Sequence, residues 1–160
     1  MGDALAVAVL EARGFTRQDF ARSHPGGTLG RRLLLHVEDL MRTGAAVPRV
    51  APDALLSAGL IEMSRKGLGM TVVVDRDERI LGVFTDGDLR RALDRAADLH
   101  TTRMDHVMTT GPKSVQPATL AAEAVHLMET HRITSLIVLD AEARLVGALN
   151  VHDLLRAGVI

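Results

Sequence analysis

Two pairs of residues at matching places in the chain have the spacing of an anion-binding helix start. Thr85 and Asp88 follow an apolar run and open a helical stretch, and Asn150 and Asp153 do the same further along. The first turn of a helix presents free N–H groups and partial positive charge, which favour a phosphate group. We expect the Thr85 hydroxyl to donate to that phosphate. We expect the Asp88 carboxylate to accept hydrogen bonds from the vicinal hydroxyls of a ribose or similar sugar.

These pairs also fit a purely structural role. A Thr at the helix N-cap and an acid three residues later form a capping box, which needs no ligand. The second pair differs because Asn150, which caps as well as Thr, occupies the cap position and His152 stands where the first has Gly87. We therefore predict that the second site binds a different group or binds more weakly. His152 is either a donor to an anion or an ordinary surface side chain.

Two other kinds of segment are expected to border these sites. Residues 41–43 and 108–110 carry Met side chains, which suit flat heterocycles and hydrophobic cores alike. Residues 66–70 contain two glycines, which permit close backbone approach to a ligand. Residues 131–135 contain His131 and Arg132, which supply charge for a carboxylate or phosphate or simply solvate a helix end. The candidate ligand-binding residues from these segments are Met41, Thr43, Gly69, Met70, Thr109, Arg132, Thr134 and Ser135.

An internal repeat relates the two pairs. A shift of 65 residues places Gly147 on Gly82 and Asp153 on Asp88 without a gap. Each copy reads strand, helix, strand, strand, helix, with a proline suited to a first helical turn. One copy of about sixty residues would be marginal alone, so we predict two βαββα units packed with pseudo-two-fold symmetry around inter-repeat clefts. The predicted strands cover 71–74, 80–84, 136–139 and 145–149, the last helices cover 87–95 and 152–157, and the prolines are Pro52 and Pro117.

Composition excludes several function classes. The 160 residues carry a net charge of -1, which argues against a basic nucleic-acid footprint, and contain no Cys, which excludes disulfides and thiolate metal sites. The seven histidines lack metal-ligand spacing, so we predict no metal and no cofactor. No apolar run approaches the roughly 20 residues of a membrane span. We expect a cytoplasmic protein with neither a membrane nor a nucleic-acid partner.

The tandem copies over about residues 41–158, with residues 82–88 as their most specific stretch, resemble a cystathionine-β-synthase (CBS) domain pair. CBS pairs are regulatory modules that often bind adenine nucleotides. The resemblance implies an α/β (α+β) fold with a ligand in the inter-repeat cleft. In that family a Gly-x-x-Thr-x-x-Asp pattern commonly binds phosphate and ribose, which are the roles expected here of Thr85 and Asp88.

The first 35 residues match neither copy. Gly-Asp-Ala-Leu-Ala at 2–6, Arg-Gly-Phe at 13–15 and Ser-His-Pro-Gly-Gly at 23–27 are similar to the end of the sugar isomerase domain in arabinose-5-phosphate isomerases. There the segment leads directly into a CBS pair. The resemblance implies the C-terminal part of an enzyme that interconverts arabinose 5-phosphate and ribulose 5-phosphate for Kdo and lipopolysaccharide biosynthesis. It places a functional histidine at His24, able to move protons in the full enzyme, but we expect no isomerase activity from these residues alone.

The sequence thus predicts an isomerase remnant at 1–35 and CBS repeats at 36–97 and 98–160. The leading function is regulation by a nucleotide or nucleotide-sugar such as CMP-Kdo, in a homodimer formed through the CBS helices, with a tetramer possible in the full-length parent. One alternative is a dimerisation module without a physiological ligand. Another is a free-standing adenine-nucleotide sensor, against which the extra 35 residues count.

Overall fold

The computed structural model describes residues 34–160, so His24 and the expected isomerase remnant lie almost wholly outside the described residues. The predicted βαββα order occurs twice. The helices are α1 (Leu56–Lys66), α2 (Asp86–Asp94), α3 (Ala121–His131) and α4 (Val151–Arg156), and the strands are β1 (Arg49–Val50), β2 (Met70–Val74), β3 (Ile80–Thr85), β4 (Ser114–Val115), β5 (Ser135–Leu139) and β6 (Leu145–Asn150). Short 3-10 turns cover Val37–Asp39, Gly44–Ala46 and Met104–His106.

The two sheets have the same topology. β1 runs parallel to β2 and β2 antiparallel to β3, and β4, β5 and β6 repeat this order. The polar turn of the first hairpin is held by Asp75, whose carboxylate accepts from the N–H groups of Asp77 and Arg79 at 2.8 and 2.9 Å. Asp140 makes the same contacts in the second hairpin. The α/β fold predicted from the repeat is therefore confirmed.

The sheets pack face to face, and helices cover their outer faces. Side chains alternate across a strand, so Val72 and Val73 point in opposite directions. Val72 lies in a core shared with Ile137 of the second sheet. Val73 lies with Phe84 in the core of the first repeat. Because β2 has an apolar partner on each side, all five of its residues are buried.

Each repeat is completed by the segment that precedes the other repeat in the chain. We call residues 35–42 the first lead-in segment and residues 103–109 the second. Val37 of the first is fully buried among side chains of the second repeat. Met104 of the second is fully buried in the core of the first repeat. Each hydrophobic core therefore contains the lead-in segment of the other repeat. The sequence boundaries at 36–97 and 98–160 instead assign each lead-in segment to the repeat that follows it in the chain.

Backbone hydrogen bonds fix both crossings. The N–H and C=O groups of Arg42 bond those of Ala148 at 2.8 and 3.0 Å, and Thr109 bonds Val83 at 2.8 and 2.9 Å. Arg42 and Thr109 hold equivalent places before the two repeats. The crossings thus put these two side chains at equivalent positions beside the two inter-repeat clefts.

The prolines do not lie where the sequence predicted. The expected place was the first helical turn, but α1 and α3 begin one further turn along the chain. The carbonyl groups of Pro52 and Pro117 instead accept hydrogen bonds from the N–H groups of Asp105 and Glu38, both at 3.0 Å. The prolines therefore shape turns that dock against the lead-in segments.

We predict that Gly82→Ala destabilises the fold. A Cβ at this position would lie 2.7 Å from the Thr109 carbonyl oxygen, so the backbone crossing must move. Overpacking of this kind costs about 1–3 kcal/mol of unfolding free energy, measurable by urea denaturation. Gly87→Ala is the control, because its nearest neighbour, a guanidinium nitrogen of Arg91, is 3.5 Å away. Wild-type stability of Gly82→Ala would contradict a tight crossing.

Candidate ligand-binding cleft

A cavity of about 500 Å³ lies between the start of α2, the end of α3 and the second lead-in segment. We call it the open cleft. It collects most of the residues that the sequence singled out as ligand-binding. Those that line it are Gly69, Met70, Thr85, Asp88, Thr109, Arg132, Thr134 and Ser135.

The remaining candidates lie elsewhere. Met41 packs against β6, where a Cβ added at Gly147 would lie 2.6 Å from its sulfur, so it serves the core. Thr43 is exposed at the start of a 3-10 turn. Asn150, His152 and Asp153 lie at the start of α4, beside the equivalent cleft of the second repeat.

Thr85 and Asp88 form the capping box expected as their structural role. The Thr85 hydroxyl oxygen accepts from the Asp88 N–H at 3.4 Å. The Asp88 Oδ2 atom accepts from the Thr85 N–H and hydroxyl at 2.8 and 2.7 Å. Thr85 has extended backbone angles, as an N-cap residue requires. The local sequence therefore fixes this helix start without a ligand.

The second oxygen of Asp88 is also occupied. Its Oδ1 atom accepts from the Thr109 hydroxyl at 2.6 Å and from the Arg91 guanidinium. Burial alone would raise the pKa of Asp88, but hydrogen bonds from Thr109, Thr85 and Arg91 outweigh it and hold the pKa below its ordinary value. A carboxylate has about four acceptor sites, and the protein fills all of them. A sugar can bond Asp88 only by replacing one of these donors.

Basic side chains surround the open cleft. Arg91, Lys113, His131 and Arg132 line it, together with the acid Asp86. His131 and Arg132 belong to the segment that was expected to border the site, whereas Arg91 and Lys113 were not among the residues predicted to bind. Arg91 could have been found, because it stands three residues after Asp88 and so on the same helix face. Lys113 could not, because its position depends on the path of the chain after the second lead-in segment.

At the equivalent place beside the second repeat, Arg42 joins the start of α4 to the end of α1. Its guanidinium donates to both oxygens of Asp153 at 2.9–3.2 Å and to the Lys66 carbonyl at 2.6 Å. Asn150 is 4% exposed and caps α4, and its amide also donates to the Leu68 carbonyl at 3.3 Å. The polar groups at this helix start therefore bond within the protein.

Neither a membrane helix nor a metal cluster is found within residues 34–160. No helix there is long and apolar enough to cross a bilayer. No group of three His, Asp or Glu side chains in the same range is arranged to hold a metal ion.

The family follows from the sequence match that accompanies this geometry. The CBS domain profile matches residues 37–95 and 104–160. The chain belongs to the CBS domain family. The resemblance inferred from the repeat is thereby confirmed.

Relatives and solved structures extend this result. The chain is 59% identical over all 160 residues to arabinose 5-phosphate isomerase KdsD of Pseudomonas aeruginosa, of which it spans 49%. The CBS fold is shared with an uncharacterized conserved protein from Pyrococcus horikoshii (TM-score 0.70, 23% identity, 79% of this chain and 93% of that one). It is also shared with CBSX2 in complex with AMP (TM-score 0.66, 23% identity, 78% and 96%). The likeness to KdsD isomerases predicted from the sequence is confirmed over the part that the chain spans.

We predict that Asp88→Asn lowers stability in a pH-dependent way. The folded pKa of Asp88 is depressed, so its stabilisation is complete above the unfolded pKa of about 4 and is lost as the pH falls through the folded value. The variant should lose about 1–3 kcal/mol of unfolding free energy at pH 7. This deficit should shrink below about pH 4.

The measurement is urea denaturation from pH 7 to pH 3. Asp94→Asn, an exposed acid on the same helix, is the control and should change little at either pH. A deficit for Asp88→Asn that stayed constant across this range would contradict a stabilising ionised carboxylate.

Proposed function

We propose that this chain is the regulatory part of an arabinose 5-phosphate isomerase, with a nucleotide or nucleotide-sugar effector in the open cleft. The observation that carries the proposal is the meeting of a helix start with four basic side chains around one cavity. Its volume of about 500 Å³ lies within the roughly 300–1,000 Å³ typical of small-molecule sites. The 59% identity to the Pseudomonas isomerase supports the enzyme class.

The proposed binding mode assigns each part of the effector to a wall of the open cleft. The phosphate lies at the start of α2, where free N–H groups donate to it, while the Thr85 hydroxyl keeps its hydrogen bond to Asp88. Arg91 turns from Asp88 to the phosphate, since a guanidinium binds phosphate with paired donors. This frees one oxygen of Asp88 for a ribose hydroxyl. The base lies near Gly69 and Met70, where the absence of a side chain at Gly69 lets it approach the backbone.

Two effectors fit this mode. CMP-Kdo, the activated sugar at the end of the pathway, adds a carboxylate that Lys113 and Arg132 can pair with. AMP lacks this group, and its support is the AMP complex of CBSX2, a protein of the same fold. In either case the effector regulates, and catalysis belongs to the sugar isomerase domain, of which residues 1–35 with His24 are the end.

We predict that one of these effectors stabilises the chain. At about a hundred times its Kd, a ligand that binds only the folded state adds about 2.7 kcal/mol to the unfolding free energy. A thermal-shift screen with AMP, ATP, CMP, CMP-Kdo and arabinose 5-phosphate measures it. Absence of any shift at millimolar concentration would contradict the proposal.

Two variants related by the repeat make the screen specific. Arg91→Gln removes the proposed phosphate ligand and should abolish the shift. Arg156→Gln changes the exposed arginine at the equivalent position of α4 and should leave the shift unchanged. Equal loss of the shift in both variants would indicate a general effect of charge rather than binding in the open cleft.

A second proposal is that the helices form a homodimer interface. Three of them expose a large aliphatic side chain: Ile61 of α1 is 57% exposed, Leu93 of α2 is 56% and Leu155 of α4 is 50%. Covering such side chains in a dimer removes apolar surface from water. This role needs no ligand, so it also accounts for a chain that binds none of the effectors tested.

We predict that Ile61→Glu together with Leu93→Glu converts a dimer to a monomer. A buried, unpaired carboxylate strongly disfavours an interface, and light scattering after size exclusion reports the mass. Glu129→Gln, a change at an exposed helical position, should leave the mass unaltered. A dimer that survives the double substitution would place the interface elsewhere.

A further inference from the structure

The two inter-repeat clefts differ because a side chain crosses from one wall to the other only in the second cleft. In the open cleft, Asp88 and His131 line the cavity. The repeat relates them to Asp153 and Lys66. The guanidinium of Arg42 bonds both of these, with 2.9 Å to the Asp153 carboxylate and 2.6 Å to the Lys66 carbonyl oxygen. One side chain therefore joins groups in the second cleft whose equivalents face an open space in the first.

The difference arises from one pair of equivalent residues. Thr109 occupies in the open cleft the place that Arg42 holds in the second. Its hydroxyl reaches Asp88 at 2.6 Å and extends no further, because the side chain ends there. Arg42 continues past Asp153, and this ion pair is largely shielded, with 21% of the Arg42 and 10% of the Asp153 side chain exposed.

The loop beside the second cleft is also held inward. The Leu68 carbonyl accepts from the Asn150 amide at 3.3 Å and from the Ser135 hydroxyl at 3.0 Å. Leu68 itself is 1% exposed. This loop precedes β2, and the equivalent loop before β5 contributes Arg132 to the lining of the open cleft. The second cleft therefore has a fixed wall on the side where Arg42 ends.

We propose that Arg42 is a built-in occupant of the second cleft and limits the chain to one effector, bound in the open cleft. The guanidinium supplies to Asp153 the hydrogen bonds that a sugar would otherwise supply. Its side chain, only 21% exposed, also occupies the space beside Asp153 in which the sugar would lie. The count of one effector rests on the proposed function, whereas the closure of the second cleft by Arg42 does not.

The closure is tested without a ligand. In a crystal structure of Arg42→Thr, the second cleft should contain a cavity at Asp153 comparable with the 500 Å³ of the open cleft. Arg49→Thr is the matched control, because Arg49 pairs with Glu78 at a hairpin turn and its loss should open nothing there. A second cleft that stays filled in Arg42→Thr would overturn the assignment.

The count is tested by isothermal titration with AMP and, separately, with CMP-Kdo. Wild-type chain should bind one equivalent, Arg42→Thr two, and Thr109→Arg none, with all three chains folded by circular dichroism. Two equivalents in the wild type, one in Arg42→Thr, or unchanged binding in Thr109→Arg would each overturn the inference. No binding of either probe to the wild type would reject the proposed function instead, and the crystal structure would still decide the closure.

Discussion

The arrangement of the molecule depends on two backbone crossings, in which a lead-in segment lies against the last strand of the other repeat. Each crossing is a pair of N–H to C=O bonds, Arg42 with Ala148 and Thr109 with Val83. The approach is close enough that the adjacent strand position must be glycine, since a Cβ at Gly147 would lie 2.9 Å from the Arg42 carbonyl oxygen. The crossings tie each repeat to the other and determine which side chains reach the clefts.

The chemistry of the clefts follows from a buried carboxylate at each crossing. Asp88 is 3% exposed, and a buried charge is costly unless it is paired and hydrogen-bonded. The capping box satisfies one oxygen through local sequence. The other oxygen also accepts a hydrogen bond from the residue at the crossing. This residue is Thr109, with a short hydroxyl side chain, in the open cleft and Arg42, with a long guanidinium side chain, in the second cleft. The same topology therefore leaves a cavity beside Asp88 in one cleft and places the Arg42 guanidinium against Asp153 in the other.

The sequence could predict the features that neighbouring residues determine, but not those that depend on contacts between distant segments. The repeat can be read from the sequence directly, and the strand at 71–74 and the caps at Thr85 and Asn150 are local signals; each was found in the structure. The exchange of the lead-in segments is not local. No periodicity indicates that Met41 and Arg42 pack against the second repeat. Met41 was therefore expected at a ligand site, and Arg42, although within the segment 41–43 expected to border a cleft, was not among the predicted binding residues. Lys113, which lines the open cleft, was not predicted as a site residue for the same reason.

The occupied state of Asp88 also limits how the proposed effector gains affinity. A ribose hydroxyl that replaces Thr109 or Arg91 exchanges one hydrogen bond for another, and the net gain of such an exchange is small. The start of α2 offers more, because its N–H groups are spare once the cap is made. Arg91, when it moves from Asp88 to the phosphate, exchanges one charge-assisted bond for another. In the proposed binding mode the phosphate therefore supplies most of the affinity, and the sugar contacts select among phosphorylated ligands.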